Sequence, residues 1–257
     1  MAKNTAAEQM EGGYFSEGSL VEARHPIDQQ HISDYLLSQG AISGPVLSIK
    51  QFDSGTSNPT YMLVTEADGK LVLRKQPPGE LLAGAHQVDR EYKVMDALFK
   101  QGMDVPKMVH YCEDENVLGT KFYCMGYCHG RIFEDTTLPG MTAAERRASY
   151  SSMAQNLAKM HSMDYKSTPL ANFGREGGYL QRQVKAWGRQ VKARSEMVCK
   201  HKDDASMFEI EAWVTKEAER WSAAGYEDRS CVVHGDYRLG NIVLSPDKPE
   251  VLAVLGR

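Results

Sequence analysis

The chain has 257 residues, of which 42 % are apolar and 25 % are charged, values typical of globular proteins rather than disordered or fibrous ones. Acidic residues number 34 and basic residues 30, giving a formal net charge of −4 that argues against a general nucleic-acid binder. The longest apolar run, Val251–Leu255, is far shorter than the ~20 residues that span a bilayer, so we expect no membrane span.

The first half of the chain predicts a short helix, a β-rich region and a second helix. Residues 1–25 are polar and predict a loosely ordered leader, and His31–Gln39 has helical periodicity that ends at Gly40. Two alternating runs flank Asp68-Gly69, which predicts a hairpin whose two central residues both have positive φ. Apolar residues recur at helical spacing from Val88 to Phe99.

The second half predicts mainly helices, with a hairpin near the end. Thr142 and Glu145 have the spacing of a capping box, in which each side chain bonds the other's backbone N–H. The remaining elements are a strand at Lys121–Met125, helices at Tyr179–Arg194 and Ala205–Ala224, a buried strand at Cys231–Val233, and a hairpin formed by Asn241–Leu244 and Glu250–Leu255. This order predicts an α+β protein of two lobes. We expect a leader with a short helix over 1–44, an N-lobe over 45–125 and a C-lobe over 126–257.

The segment His234-Gly-Asp-Tyr-Arg-Leu-Gly-Asn241 carries the strongest chemical signal. Asp236 can accept a proton from a substrate hydroxyl, and Asn241, five residues later, can offer an amide oxygen to Mg²⁺. Protein kinases use this spacing in their catalytic loop. His234 is expected to support the loop and Gly235 to allow its tight path. The alternative is a polar surface turn between two strands.

The whole segment matches the catalytic loop of aminoglycoside-phosphotransferase-like kinases, and the resemblance extends to other motifs. Taken together, the motifs resemble the N-terminal kinase-like domains of acyl-CoA dehydrogenase family members ten and eleven, over roughly residues 45–255. The shared motifs are SNPTY, VLRK-PPG, LL-AHQVDREYKV, GT-FY-M, GRIF-D-T-PG and HGDYRLGNIV with VLAVL. The resemblance implies a protein-kinase-like two-lobe fold and phosphoryl transfer from ATP with Mg²⁺.

The resemblance also implies roles for residues outside the loop. The phosphate-covering loop would include Gly55, Ser57 and Asn58, although an ordinary turn is an alternative for this loop alone. Met125 and Tyr127 fall at the inter-lobe hinge, where backbone groups would bind adenine; relatives carry an acidic residue at the neighbouring position 126, which here is glycine.

A strand cation and a helix carboxylate complete the implied nucleotide site. Arg74 is the residue that matches the phosphate-contacting cation, and Glu91 would pair with it from the second helix. Because side chains alternate along a strand, only one of Arg74 and Lys75 can face the cleft. We favour Arg74, with a register shifted to Lys75 as the alternative, and an exposed helix carboxylate as the alternative for Glu91.

A second position also departs from the family pattern. Gly256 follows the last strand where relatives have a second metal-binding Asp, and the chain ends at Arg257. This predicts a truncated C-terminal lobe and, apart from a chain that does not fold stably, leaves two hypotheses open. The first is a kinase that phosphorylates a small hydroxylated molecule, a hydroxyacyl-CoA such as 4-hydroxyacyl-CoA, in fatty-acid catabolism. The second is an inactive fragment that binds nucleotide or acyl-CoA.

The cellular context follows from the sequence only in outline. The N-terminus lacks the apolar segment of a secretory signal, and the five cysteines are scattered, which favours free thiols in a reducing compartment. We expect a cytoplasmic protein by default, while the resemblance also allows a mitochondrion or a peroxisome. Longer family members carry a C-terminal acyl-CoA dehydrogenase domain, which this chain lacks.

Overall fold

A computed structural model describes residues 20–53, 58–79, 87–198, 204–225 and 230–256. The chain divides into two compact units. Unit 1 combines Met1–Leu170 with Val233–Arg257, and unit 2 is Ala171–Val232. The lobe boundary near Gly126 that we expected from the sequence stays a prediction.

Unit 1 is built on a six-stranded antiparallel sheet with the strand order β1-β2-β3-β4-β6-β5. Its strands are β1 Leu20–Val21, β2 Val46–Phe52, β3 Thr60–Thr65, β4 Lys70–Lys75, β5 Met108–Cys112 and β6 Phe122–Gly126. The helices associated with the sheet are α1 Gln29–Ser38, α2 Val88–Lys100 and the single turn α3 Glu115–Leu118. One face of the sheet and α1 bury a core whose members are Ile32, Leu36, Tyr61, Leu63, Leu73 and Phe122.

The hairpin β3–β4 forms where the sequence predicted it, but its turn differs. The strands pair from Thr60 opposite Arg74 to Val64 opposite Lys70, and residues 66–69 connect them. Gly69 has a φ of +73°, whereas Asp68 is not among the residues with positive φ. The Thr65 hydroxyl donates to the Gly69 carbonyl and accepts from the Asp68 N–H, so a side chain closes this longer turn. The prediction of positive φ at both central residues was therefore wrong.

Helix α2 packs against β5 and β6 through an aromatic cluster. The Tyr92 ring lies 5.4 Å from the ring of Tyr111 and 6.3 Å from that of Tyr123. Glu91, one position earlier, is buried, and Gly102 ends the helical segment with a φ of +71°. The helix therefore presents its first turn to the sheet at β6.

The rest of unit 1 contains α4 Ala143–Ser162, the 3₁₀ turns Tyr165–Ser167 and Leu239–Asn241, and the hairpin of β7 Ile242–Leu244 with β8 Val251–Val254. The predicted capping box is present, because Thr142 Oγ1 accepts from the Glu145 N–H and the Glu145 carboxylate accepts from the Thr142 N–H. Arg131 bonds the second edge of β7 through two hydrogen bonds of 2.8 Å with the Leu244 backbone.

Unit 2 is a helical hairpin of α5 Tyr179–Val198 and α6 Asp204–Ala223. The two helices approach closely at Gly188, where a Cβ would lie 2.5 Å from Glu211 Oε1. Across the part of the chain that the structure describes, no helix is both long and apolar enough to span a membrane.

The predicted strand at Cys231–Val233 does not form. Val233 is 61 % exposed, so the apolar run is not a buried strand. A short run needs a free strand edge with which to pair. Residues 231–233 do not pair with a strand in the structure.

Candidate functional site

Arg74 on β4 and Glu91 on α2 form a largely buried ion pair. Arg74 Nε lies 3.2 Å from Glu91 Oε2, and Arg74 Nη2 donates to Glu91 Oε1 at 3.4 Å. The two side chains are 16 % and 7 % exposed. Nε has no hydrogen bond of good geometry, so its contact with Oε2 is electrostatic rather than directional. A buried charge needs such a partner because it has lost its hydration.

Tyr123 is a third member of this cluster. It lies directly opposite Arg74 in the pairing of β4 with β6, and its hydroxyl donates to Glu91 Oε2 at 3.1 Å. Burial raises the pKa of the Tyr123 hydroxyl, and the adjacent Glu91 carboxylate raises this pKa further. Tyr123 therefore stays a neutral donor that helps to hold the Glu91 carboxylate beside Arg74.

Lys75 points away from this cluster, as strand alternation requires. Its Nζ donates to the Leu118 carbonyl at 2.8 Å, and burial lowers the pKa of the Lys75 amine. Of the two registers considered from the sequence, the structure has the one in which Arg74 faces Glu91. The role of Arg74 in binding phosphate stays a prediction.

His234 holds the predicted catalytic loop against the end of β8. The Asp236 N–H donates to His234 Nδ1 at 3.2 Å, so the neutral ring carries its proton on Nε2. Nε2 then donates to the Leu255 carbonyl at 2.8 Å. Gly235, between His234 and Asp236, has a φ of +84°, which a side chain would disfavour. The loop therefore takes the tight path that the sequence predicted, with His234 as its support.

Asn241 turns back onto Asp236, as their spacing of five residues predicts. Asn241 Nδ2 donates to the Asp236 carbonyl at 2.8 Å and to Asp236 Oδ2 at 2.7 Å. Arg238 Nε also lies 3.4 Å from the same Oδ2. Since Nδ2 makes both amide contacts, Asn241 Oδ1 is the atom that could face a cation. The Asp236 carboxylate is the group that could accept a proton.

The backbone of Leu255 and Gly256 joins the sheet cluster to the catalytic loop. Leu255 donates its N–H to the Asn241 carbonyl at 2.8 Å, in addition to accepting from His234. Arg74 Nη1 donates to the Gly256 carbonyl at 3.4 Å. A continuous line of contacts thus connects Glu91 and Arg74 with Asp236, and all of these residues belong to unit 1.

The remaining predicted residues lie elsewhere or outside the described part of the chain. Gly55 and Ser57 fall in residues 54–57, outside the described residues. Asn58 is 5 % exposed, and its carbonyl accepts from the Thr60 hydroxyl at 3.0 Å. The predicted approach of Asn58 to phosphate stays a prediction.

The predicted hinge lies at the end of β6. Met125 is buried, and the Tyr127 N–H donates to the Lys70 carbonyl at 3.3 Å. The Gly126 N–H donates to the Lys107 carbonyl at 2.8 Å. The N–H groups of Gly126 and Tyr127 are therefore already hydrogen-bonded within the protein. Adenine would have to bind other backbone groups of this segment or displace these two bonds. The adenine-binding roles of Met125 and Tyr127 stay predictions.

Within the described part of the chain, the side chains around the predicted catalytic loop offer only part of a site for a divalent cation. Asn241 and Asp236 could offer oxygen ligands, but Gly256 has no side chain to offer one. Among the described residues, no group of three or more His, Cys, Asp or Glu side chains could hold a metal ion. Mg²⁺ prefers near-octahedral oxygen coordination, so two side-chain ligands would leave most positions to water or phosphate.

Sequence reasoning missed Tyr123, and it did not assign a role to the backbone of Leu255. The register of β4 against β6 would have identified Tyr123, because residues opposite each other on neighbouring strands point to the same face. The signal was present in the strand pattern, but the pairing partner of β4 is distant in sequence. No side-chain pattern could have identified the carbonyl of Leu255.

The chain belongs to the phosphotransferase enzyme family, whose model matches residues 48–255. Acyl-CoA dehydrogenase family member 11 of Mus musculus is 39 % identical over 250 residues, covering 96 % of this chain and 31 % of the relative. The chain therefore spans about a third of the length of that relative.

Two solved structures share the fold. A putative aminoglycoside phosphotransferase from Ralstonia eutropha has 36 % identity and a TM-score of 0.71, covering 90 % of this chain and 64 % of its own. A streptomycin–ATP complex of APH(2″)-IIa has 15 % identity and a TM-score of 0.57, covering 90 % of this chain and 70 % of its own, and at this identity shows the fold alone. The kinase-like fold of mixed helix and sheet that the sequence predicted is thereby confirmed, and the chain covers part of it.

Proposed function

We propose that this chain is a phosphotransferase domain that moves the γ-phosphoryl group of ATP to the hydroxyl group of a small molecule. The observation that carries the proposal is the line of contacts that links the Arg74–Glu91 pair to Asp236. A buried cation for phosphate and an aligned carboxylate base are the two protein groups that such a transfer needs. The ATP bound in the APH(2″)-IIa structure supports the choice of donor.

Asp236 would act as the general base. Its carboxylate would accept the proton of the acceptor hydroxyl while the hydroxyl oxygen forms a bond to the γ-phosphorus. The bond between that phosphorus and the bridging oxygen of ADP breaks in the same transfer. Asn241 would keep the carboxylate oriented, since its Nδ2 binds Asp236 Oδ2. Arg74 would contact the phosphates that stay with ADP.

The acceptor that we propose is a hydroxyacyl-CoA, with 4-hydroxyacyl-CoA as the specific candidate. Support comes from the similarity to acyl-CoA dehydrogenase family member 11, whose name refers to acyl-CoA chemistry. A hydroxylated acyl chain supplies the alcohol that phosphoryl transfer requires. Because the chain spans 31 % of that relative, the activity of the longer protein is not transferred to it without test.

A purified chain of 257 residues tests the proposal in two steps. Thermal melting with and without Mg²⁺–ATP would detect nucleotide binding, because a ligand of the folded state raises the melting temperature. Phosphate transfer to 4-hydroxyacyl-CoA would then be measured. Asp236→Ala should lower the rate by about 10²- to 10⁴-fold. Asp34→Ala, which changes a carboxylate that bonds only Gln30 in an exposed turn of α1, is the control. Equal rates for the two variants would exclude Asp236 as the base.

A second candidate function is nucleotide binding without turnover, and Gly256 favours it. The carbonyl of Gly256 contacts Arg74, yet its position supplies no side-chain ligand. A Cβ at Gly256 would lie 3.2 Å from Met95 Sδ, the flexible end of a side chain, so Gly256→Asp should be accommodated. If the wild-type chain binds ATP without turnover, Gly256→Asp should add a Mn²⁺-dependent rise in melting temperature. Gly256→Asn, which adds similar volume without charge, is the matched control.

A further inference from the structure

The guanidinium group of Arg238 lies between two carboxylates. Arg238 Nη1 donates to Glu134 Oε2 at 2.8 Å, and Arg238 Nε lies 3.4 Å from Asp236 Oδ2. Both Arg238 and Glu134 are about half exposed, with side chains 48 % and 47 % accessible. The cation thus touches the proposed base on one side and solvent on another.

Gly240 makes room for this arrangement. A Cβ at Gly240 would overlap Arg238 Nη1 and would lie 2.6 Å from Glu134 Oε1. Gly240 is not among the residues with positive φ, so its backbone does not itself require glycine. The lack of a side chain at this position instead leaves the space that the Arg238–Glu134 pair occupies.

The charges around Arg238 make it a fitting binding group for an oxyanion. The hydrogen bond to Glu134 and the nearby Asp236 carboxylate raise the pKa of the guanidinium, which keeps it fully charged. A guanidinium offers a planar fork that matches two oxygens of a phosphoryl group. Exposed ion pairs contribute little to stability, so a more highly charged phosphate could replace Glu134 at small cost.

We propose that Arg238 binds the terminal phosphoryl group of the nucleotide, exchanging its contact with Glu134 for two phosphate oxygens. This inference rests on the proposed function, since it places the γ-phosphate beside Asp236. It divides the cations of the site between two tasks: Arg74 contacts phosphates common to ADP and ATP, and Arg238 contacts the group that ATP alone carries. Glu134 is a positioning residue that holds Arg238 until the nucleotide arrives.

The dissociation constants of ADP and of the non-hydrolysable analogue AMP-PNP, measured on the full chain, test this division. Arg238→Gln should weaken AMP-PNP binding by about tenfold or more and leave ADP binding nearly unchanged, because the charge-assisted contacts with the terminal phosphoryl group are lost. Glu134→Gln should tighten AMP-PNP binding, because it removes the competing carboxylate. Arg74→Gln should weaken both ligands. The control is Arg220→Gln, since Arg220 pairs with Glu217 at 2.7 Å and is 69 % exposed.

The outcomes separate this inference from the function on which it rests. If the wild-type chain binds neither nucleotide, the proposed function and the role of Arg238 are both overturned. If it binds both and Arg238→Gln weakens them equally or not at all, only the role of Arg238 is overturned. Weaker AMP-PNP binding in Glu134→Gln would also contradict the exchange of partners. Should Arg238→Gln fail to fold, Arg238→Lys, which keeps the charge but not the fork, should show a smaller selective loss for AMP-PNP.

Discussion

Replacing Glu91 by Gln should destabilise unit 1 more than any exposed charge change on the same helix. The substitution preserves volume but leaves the Arg74 guanidinium, 16 % exposed, with only the Gly256 carbonyl at 3.4 Å and a neutral amide. Removing one partner of a fully buried ion pair costs about 3–5 kcal/mol. Because the Gln oxygen can still accept from Tyr123 and Arg74 reaches some solvent, we expect a smaller loss of about 2 kcal/mol, which is typical of a buried polar group that loses its partner.

The assay must report on unit 1. The three tryptophans, Trp187, Trp213 and Trp221, all lie in unit 2, so intrinsic tryptophan fluorescence would follow the wrong part of the chain. Hydrogen exchange of the β4 and β6 amides, measured under native conditions, follows the opening of the sheet itself.

The matched control for Glu91→Gln lies on the same helix. Asp96→Asn breaks an exposed pair with Lys100, four residues away, and should change amide protection little. If Glu91→Gln lowers protection no more than Asp96→Asn does, the Arg74–Glu91–Tyr123 cluster does not stabilise the sheet and the argument fails.

Two further predictions concern packing and pH. Gly130→Ala should destabilise the β7–β8 hairpin by about 1–3 kcal/mol, because its Cβ would overlap the Leu244 carbonyl. Gly126→Ala, where the nearest atom is 3.8 Å away, is the control, and equal unfolding midpoints of the two variants in urea would contradict this reasoning. Burial lowers the pKa of the His110 ring in the folded state. As the pH falls below 6.5, the ring is therefore protonated in the unfolded state before it is protonated in the folded state. The protein loses stability over this range, down to the folded-state pKa. His110→Gln should flatten that part of the pH–stability curve. The free energy of unfolding would be measured by urea titration at several pH values, and the same dependence on pH in the variant and the wild type would refute this prediction.

Local patterns in the sequence predicted the local parts of the fold. The capping box at Thr142, the hairpin β3–β4 and the fold-back of Asn241 onto Asp236 each depend on residues close together along the chain. Strand β5, Met108–Cys112, was not predicted, because it acquires its strand character from pairing with β6 across an intervening turn and α3. Such pairing leaves little trace in a five-residue segment.

The site followed the same division between local and distant information. The sequence identified Arg74, Glu91 and Asp236 as side chains that should converge. It did not predict Tyr123 as a partner of Glu91, since that contact depends on the register between β4 and β6. Cys231–Val233 shows the opposite error, where an apolar run satisfied the strand pattern but does not form a strand in the structure.

The predicted catalytic loop is held largely through contacts with backbone groups, and this explains why His234 suits its position. Nδ1 accepts from the Asp236 N–H and Nε2 donates to the Leu255 carbonyl, so the ring must offer one acceptor and one donor on opposite sides. Neutral histidine does this, whereas the protonated ring has two donors and would lose the bond to Asp236. The carbonyl of Leu255 is present whatever the side chain at this position. The N–H of the same residue donates to the Asn241 carbonyl and so helps to hold this backbone in place. The geometry of the proposed base therefore depends on the end of β8 staying in place more than on any side chain there.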